Sequence, residues 1–250
     1  MCYAQPMPDV RDDAKLNRTA EHYSKLLSLA VHEFRTPASV ISGYLRMLQR
    51  DSDPTLSERQ RKMVDEAGKS CARIIAIVDE LSDIGKLDGG LISLARQPLD
   101  VFTLIGEVAE LVHEAEDREV HLKLRGDDHG APIAGDGPRL RVAFDAIFRA
   151  ILREKPGHST VIADRRLVSR DGHLAAVVIV SEEAPVQEAY DREPVSFFEK
   201  RGGLGLALPL AGRVIEAHGG RLSSPKPLLD DDPLTRGSAI ISLPITELKR

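Results

Sequence analysis

The stretch His32-Glu33-Phe34-Arg35-Thr36-Pro37 gathers a nucleophile, a carboxylate and a hydroxyl within about one and a half helical turns. An exposed imidazole with a pKa of about 6.5 is mostly neutral at pH 7, and its unprotonated ring nitrogen can attack phosphorus. Glu33 can orient that ring or accept its proton. Thr36 follows one turn after His32 on the same face, where its hydroxyl can position a water beside a phosphorylated partner. Pro37 has no N–H to offer the Glu33 carbonyl and is expected to bend the helix there.

These residues need a long helix to carry them, and the pattern supplies one. Apolar side chains recur at Leu27, Val31, Phe34, Ala38, Ile41, Leu45 and Leu48, alternating steps of four and three as on a bundle seam. That register sets His32 about 100° from Val31, on the solvent side of the seam. After Pro54-Thr55 the rhythm returns at Met63, Ala67, Ser70, Ile74, Ile77, Leu81 and Ile84. Thr55-Leu-Ser-Glu58 has capping-box spacing at the start of this second helix, and Gly89-Gly90 marks its end. A second apolar stripe (Leu26, Ala30, Val40, Tyr44, Met47) exceeds what one hairpin can cover, so the expectation is a homodimer built as a four-helix bundle.

Beyond residue 90 the pattern changes. Short β-like runs fall at 91–98, 120–125, 159–168, 173–181 and 238–244, with helical stretches at 101–118, 138–154 and 204–218. Residues 126–137 and 224–237 read as loops. The whole is an α+β chain, with a flexible N-terminus (1–19), a helical hairpin (20–90) and an α/β sandwich (91–250). With 39 acidic and 34 basic residues among 250, the net charge of −5 gives no bulk attraction to nucleic acid or anionic lipid. No apolar run reaches the roughly 18 residues of a membrane span, and Cys2 and Cys71 cannot make a disulfide framework, so a cytoplasmic chain is expected, with any membrane sensor on another chain.

Ser28-Leu-Ala-Val-His-Glu-Phe-Arg-Thr-Pro-Ala-Ser-Val-Ile-Ser-Gly-Tyr44 resembles the H box of two-component sensor histidine kinases, and the resemblance extends over about residues 20–248. It implies a dimerisation and phosphotransfer hairpin followed by a histidine-kinase-type ATPase domain. It implies His32 as phosphoacceptor, Glu33 as the acidic residue that assists the kinase reaction, and Glu33-Phe-Arg-Thr36 as an E-x-x-T phosphatase motif. The aspartate that exchanges phosphoryl with His32, with its bound Mg²⁺, would belong to a response regulator receiver domain.

The second domain departs from the family pattern. Gly202-Gly-Leu-Gly-Leu206 resembles the second glycine box, so Gly203 and Gly205 would bring backbone amides to phosphates at a helix N-terminus. The helix 138–154 lies where the family has two Mg²⁺-binding asparagines, and the best register puts Asp145 and Arg149 there, with Ala146 and Ala150 one residue on. Four residues apart, Asp145 and Arg149 can pair, and an arginine cannot coordinate a metal. In the first glycine box Ser181 replaces the adenine-binding aspartate and Glu183 and Pro185 replace glycines, with Glu182 adding a second carboxylate. Residues 187–201, with Phe197-Phe198, would form the lid. Asn17 is the one asparagine of the chain, so no register restores the metal ligand.

Three readings follow. In the first, His32 exchanges phosphoryl with a regulator aspartate, or Thr36 supports its dephosphorylation, while the ATP site is impaired and no metal is bound. An upstream kinase or sensor chain could then supply the phosphoryl group. In the second, the chain is an ATP- and Mg²⁺-dependent autokinase. In the third, it is a non-catalytic dimeric scaffold for a regulator.

Overall fold

The computed structural model describes residues 10–50, 56–170, 173–197, 204–230 and 232–246. The chain divides into two compact units, Met1–Ile92 and Ser93–Arg250.

The first unit is a helical hairpin. Helix α1 spans Val10–Arg50, passing through Pro37, and α2 spans Glu58–Asp88. The α1 start lies inside the segment expected to be flexible. Ser57 rather than Thr55 caps α2: its Oγ accepts from Gln60 N at 3.4 Å and its own N–H donates to Gln60 Oε1 at 2.8 Å. Thr55 and Pro54 lie outside the described residues. The other end stops as expected, with Gly90 adopting a φ of +63°, a conformation that costs glycine nothing.

The seam between the helices differs from the expected one. On α1, Val31 and Ala38 are buried and Leu27 and Leu45 half-buried, whereas Phe34, Ile41 and Leu48 are exposed. On α2 the buried row is Cys71, Val78 and Gly85, one residue away from the expected Ser70, Ile77 and Ile84. One residue is about 100° of helix, so each sequence stripe combined an inward row with an outward one. The inward row packs closely because its members are small. Gly85 lies where a β-carbon would come within 2.7 Å of Leu27 Cδ2, and Cys71 Sγ donates to the Ala38 carbonyl at 3.2 Å.

The second unit is a sheet with helices on both faces. Strands β2 (Val120–Gly126), β4 (Ser159–Arg170), β5 (His173–Glu182), β8 (Ala239–Pro244), β7 (Arg221–Pro225) and β6 (Pro194–Ser196) lie in the order β2-β4-β5-β8-β7-β6. Among the described residues, β2–β4 is the one parallel pair of this sheet. A separate ribbon joins β1 (Gln97–Asp100) to β3 (Pro132–Gly135). Helices α3 (Val101–Glu110), α4 (Gly137–Glu154) and α6 (Ala207–Ala217) cover one face, capped by Asp100 on α3 and Asp136 on α4. Phe102, Phe144, Phe148, Ile147 and Ile215 fill the core beneath them.

The strand expected at 91–98 appears as β1, overlapping it only at 97–98, and the helix expected over 101–118 ends at Glu110; farther on, Ala115 sits at a φ of 64° that a helix cannot hold. The expected loops contain β3 and the short α7 (Pro233–Arg236). On the face opposite α3, α4 and α6, α5 (Val186–Asp191) and α7 pack Val186, Ala189 and Leu234 against Val177, Ile179 and Ile240. The segment expected to be a lid therefore supplies α5 and β6. Val186 and Ala189 are too apolar to leave in solvent, and the sheet's second face offers them cover. Phe198 and the rest of that segment lie outside the described residues.

Candidate functional site

On the hairpin, His32 and Glu33 are open to solvent, their side chains 78 % and 72 % exposed. Glu33 Oε1 lies 3.7 Å from His32 Nδ1, beyond hydrogen-bond length. The Thr36 hydroxyl donates to the His32 carbonyl at 3.2 Å, which seats the side chain one turn below the imidazole with its oxygen lone pairs outward. The sequence placed these three side chains on one exposed face, and the structure brings them together there. A contact it did not reveal is the ion pair from Arg35 Nη2 to Asp79 Oδ1 of α2. The available signal was Arg35's place next to both seam and histidine. Around the same helix, Phe34, Val40, Ile41, Tyr44 and Met47 leave a broad apolar strip exposed.

In the second unit the residues at the expected nucleotide site close on one another. Arg149 Nε donates to Asp145 at 3.0 and 2.8 Å, and Arg149 Nη1 donates to Glu114 at 3.0 Å. Arg153 adds a 2.7 Å bond to the same Glu114. Hydrogen bonds from Arg153 and Arg149 outweigh the cost of burial and hold the Glu114 carboxyl below its ordinary value. Ala146 and Ala150 carry no metal-binding group, and in the other register the one carboxylate, Asp145, is engaged by Arg149.

Ser181 is 1 % exposed, and its hydroxyl meets that of Ser238 at 2.7 Å. Lys155, also buried, reaches Glu182 at 3.3 Å. Glu183 is exposed and donates its N–H to the Thr160 carbonyl at 3.3 Å, while Pro185 precedes α5. Glu154, Lys155, Glu182, Arg236 and Gly237 border a cavity of about 690 Å³ beside these groups. A methyl group at Gly237 would meet Lys155 Nζ, so the glycine makes room for the lysine. Gly205 holds a φ of +67° in the turn before α6, and Gly203 lies outside the described residues. Sequence reasoning missed Glu114, Lys155 and Ser238, which come from other segments and carry no local signature.

Two further clusters hold the sandwich. Asp164 is 1 % exposed and accepts from Arg125, from Arg166 Nε at 2.8 Å and from the Tyr190 hydroxyl at 3.0 Å. Burial alone would raise its pKa; the Arg166, Arg125 and Tyr190 bonds together lower it. His218, just after α6, is 6 % exposed, accepts the Asp136 N–H on Nε2 at 2.9 Å and lies 2.7 Å from the Val214 carbonyl through Nδ1. Those partners fix the neutral tautomer with hydrogen on Nδ1.

A two-helix hairpin bearing a solvent-exposed histidine, followed by a mixed sheet with three helices on one face, is the α+β arrangement of a phospho-acceptor hairpin and a histidine-kinase-type second domain. Residues 23–90 match the His Kinase A (phospho-acceptor) domain family. The signal transduction histidine-protein kinase BarA of Escherichia coli is 24 % identical over 212 residues, covering 80 % of this chain and 23 % of BarA. The sensor protein DivL of Caulobacter vibrioides is 27 % identical over 225 residues, covering 86 % of this chain and 27 % of DivL. The chain thus spans about a quarter of the length of these relatives. Full-length ShkA, solved with AMPPNP, superposes with a TM-score of 0.64 at 21 % identity, covering 89 % of this chain and 46 % of that one. The kinase ThkA, solved with the response regulator TrrA, gives 0.53 at 16 % identity, covering 98 % of this chain and 70 % of that one. Residues 23–90 thus match a histidine kinase phospho-acceptor domain, and most of the chain is similar to sensor histidine kinases of two-component signalling.

Proposed function

We propose that the chain is a phosphotransfer and phosphatase partner of a response regulator, acting through His32 without drawing on a working ATP site of its own. The observation that carries the phosphotransfer half is the exposed His32 with Glu33 beside Nδ1. A proton held on Nδ1 leaves Nε2 as the nucleophile. Nε2 attacks the phosphorus of an aspartyl phosphate on the regulator, a P–N bond forms, the P–O bond to the aspartate breaks, and the carboxylate leaves. The reverse reaction returns the group. Loose phosphoryl transfer depends mainly on positioning and charge, which the hairpin face and the regulator's own metal site can supply together. With Thr36 one turn away, its oxygen can instead hold a water in line with the regulator's phosphorus.

The second unit supports the remaining half of the proposal. Arg149 closed on Asp145 and Glu114, Ser181 closed on Ser238, and Lys155 closed on Glu182 do not fit a Mg²⁺-nucleotide, whose phosphates and metal would need those groups turned outward. The exposed apolar strip on α1 and α2 fits a homodimer, with the outward rows of two hairpins making the four-helix core. A phosphorylated receiver domain incubated with the chain tests the reading. Phosphoryl should appear on the wild type and not on His32→Ala. Thr36→Ala should slow regulator dephosphorylation while leaving transfer intact. Label appearing on His32 from radiolabelled ATP and Mg²⁺ alone would overturn the impaired-site half and favour the autokinase.

A further inference from the structure

His32 has one cation within reach on its own helix. Between Lys25 and Arg46, Arg35 is the only basic residue of α1. At 100° per residue it lies about 40° from buried Val31 and about 60° from His32, between the packed seam and the imidazole. Side chains three residues apart on a helix are neighbours, with about 5–6 Å between β-carbons. Yet Arg35 does not turn toward His32 in this structure: Nη2 is taken by Asp79 across the hairpin, with both side chains about half exposed. The bond therefore ties α1 to α2 at the phosphoacceptor turn, next to buried Val78.

Resting on the reading of His32 as phosphoacceptor, we infer that Arg35 and Asp79 form a phosphoryl-sensitive clasp: Asp79 holds Arg35 while His32 is bare, and Arg35 transfers to the phosphoryl group once His32 carries one. The driving force is charge. A phosphoryl group brings between one and two negative charges and three acceptor oxygens, against the single charge of Asp79, and guanidinium forks bind such oxygens in pairs. Both candidate partners sit within the sweep of one arginine side chain, so the exchange needs only rotamer changes. Phosphorylation then releases the cross-hairpin tie at this turn, and Asp79 acts as a positioning residue through Arg35.

Phosphoramidate tests this without nucleotide or regulator. Its P–N bond breaks, a P–N bond to the His32 ring forms, and ammonia leaves carrying the displaced ring proton. Phosphorus NMR then follows the second ionisation of the phosphoryl group on His32 as pH is varied. A nearby cation lowers that pKa. Asp79→Asn frees Arg35 and should lower it by about half a pH unit, a modest shift because the site is exposed and screened. Arg35→Ala should raise it by a similar amount, and Arg35→Ala/Asp79→Asn should match Arg35→Ala alone. The charge exchange Arg35→Asp/Asp79→Arg preserves a cross-helix pair but puts a carboxylate beside His32, and should raise the pKa further. An unchanged titration in Asp79→Asn overturns the clasp, as does a shift that persists when Arg35 is absent. So does a wild-type pKa in the charge-exchanged chain. Failure of wild type to form phosphohistidine at His32 overturns the phosphoacceptor reading itself, and the clasp falls with it.

Discussion

Acidification should weaken the second unit through His218. Its ring is buried, with Nε2 accepting from Asp136 N and Nδ1 facing the Val214 carbonyl. Protonation would put a hydrogen on Nε2 pointing at another hydrogen. Burial is the main cause that pushes the His218 pKa below its ordinary 6.5, and nearby Arg96 acts the same way. The sign follows. Above pH 6.5 the ring is neutral folded or unfolded, and its contribution is complete. Below 6.5 the unfolded chain takes up a proton that the folded chain refuses, so stability falls as pH falls. The loss is up to about 1.4 kcal/mol per pH unit and ends at the folded-state pKa.

The control is His218→Gln, whose amide can accept the Asp136 N–H and donate to Val214 without titrating. Urea unfolding of the full chain, followed by circular dichroism at pH 7.5 and 5.5, compares the two. The wild type should lose more stability across that interval than the variant, by up to about 1.4 kcal/mol for the one unit below 6.5. His129, whose pKa is raised by Asp128, has the opposite pH dependence, but it is present in both proteins and cancels. Equal pH slopes in the two proteins would refute the reasoning. His218→Ala should cost about 1–3 kcal/mol at pH 7.5, because it leaves the Asp136 N–H buried without a partner.

Three other outcomes are expected. Gly126→Ala places a side chain at a φ of +82° with its β-carbon against the Arg165 carbonyl oxygen, and should cost at least about 2 kcal/mol in chemical denaturation. Tyr190→Phe removes one of the donors to Asp164 and should lower stability by about 1 kcal/mol in the same assay, since Arg125 and Arg166 remain. Ile41→Glu, on the exposed apolar strip of α1, should shift the chain from dimer to monomer by light scattering at unchanged helicity.

The hairpin and the His32 face were legible because helical spacing alone decides which residues share a side. His32, Glu33 and Thr36 could be placed by counting in steps of three and four. The same counting failed at the seam. A bundle helix addresses two neighbours, and hydrophobicity alone does not say that Val31 and Ala38 face α2 while Phe34 and Ile41 face away. In the second unit the long apolar strands β4, β5 and β8 were visible, whereas β7, with Ser223 and Ser224 in its middle, looked like loop. The pairing of Asp145 with Arg149 was local and therefore readable. Glu114, Lys155 and Ser238 join the site through tertiary contacts more than 25 residues away in the chain, which no spacing rule reaches. Nothing local in residues 187–197 told that part of this stretch would form α5 against the second face of the sheet.

The closed side-chain pairs of the second unit bear on how this protein keeps its shape in a cell. Proteins whose binding site is held open by unmatched charges gain folding stability from ligand by mass action, and their abundance follows ligand supply. Here Ser181 and Ser238 satisfy each other, Lys155 neutralises Glu182, and Arg149 is shared by two carboxylates. Those bonds form on folding whatever the surrounding solution contains. On the function proposed above, added nucleotide should leave the unit's unfolding equilibrium unchanged, and its level should be steady across metabolic states in which nucleotide pools rise and fall.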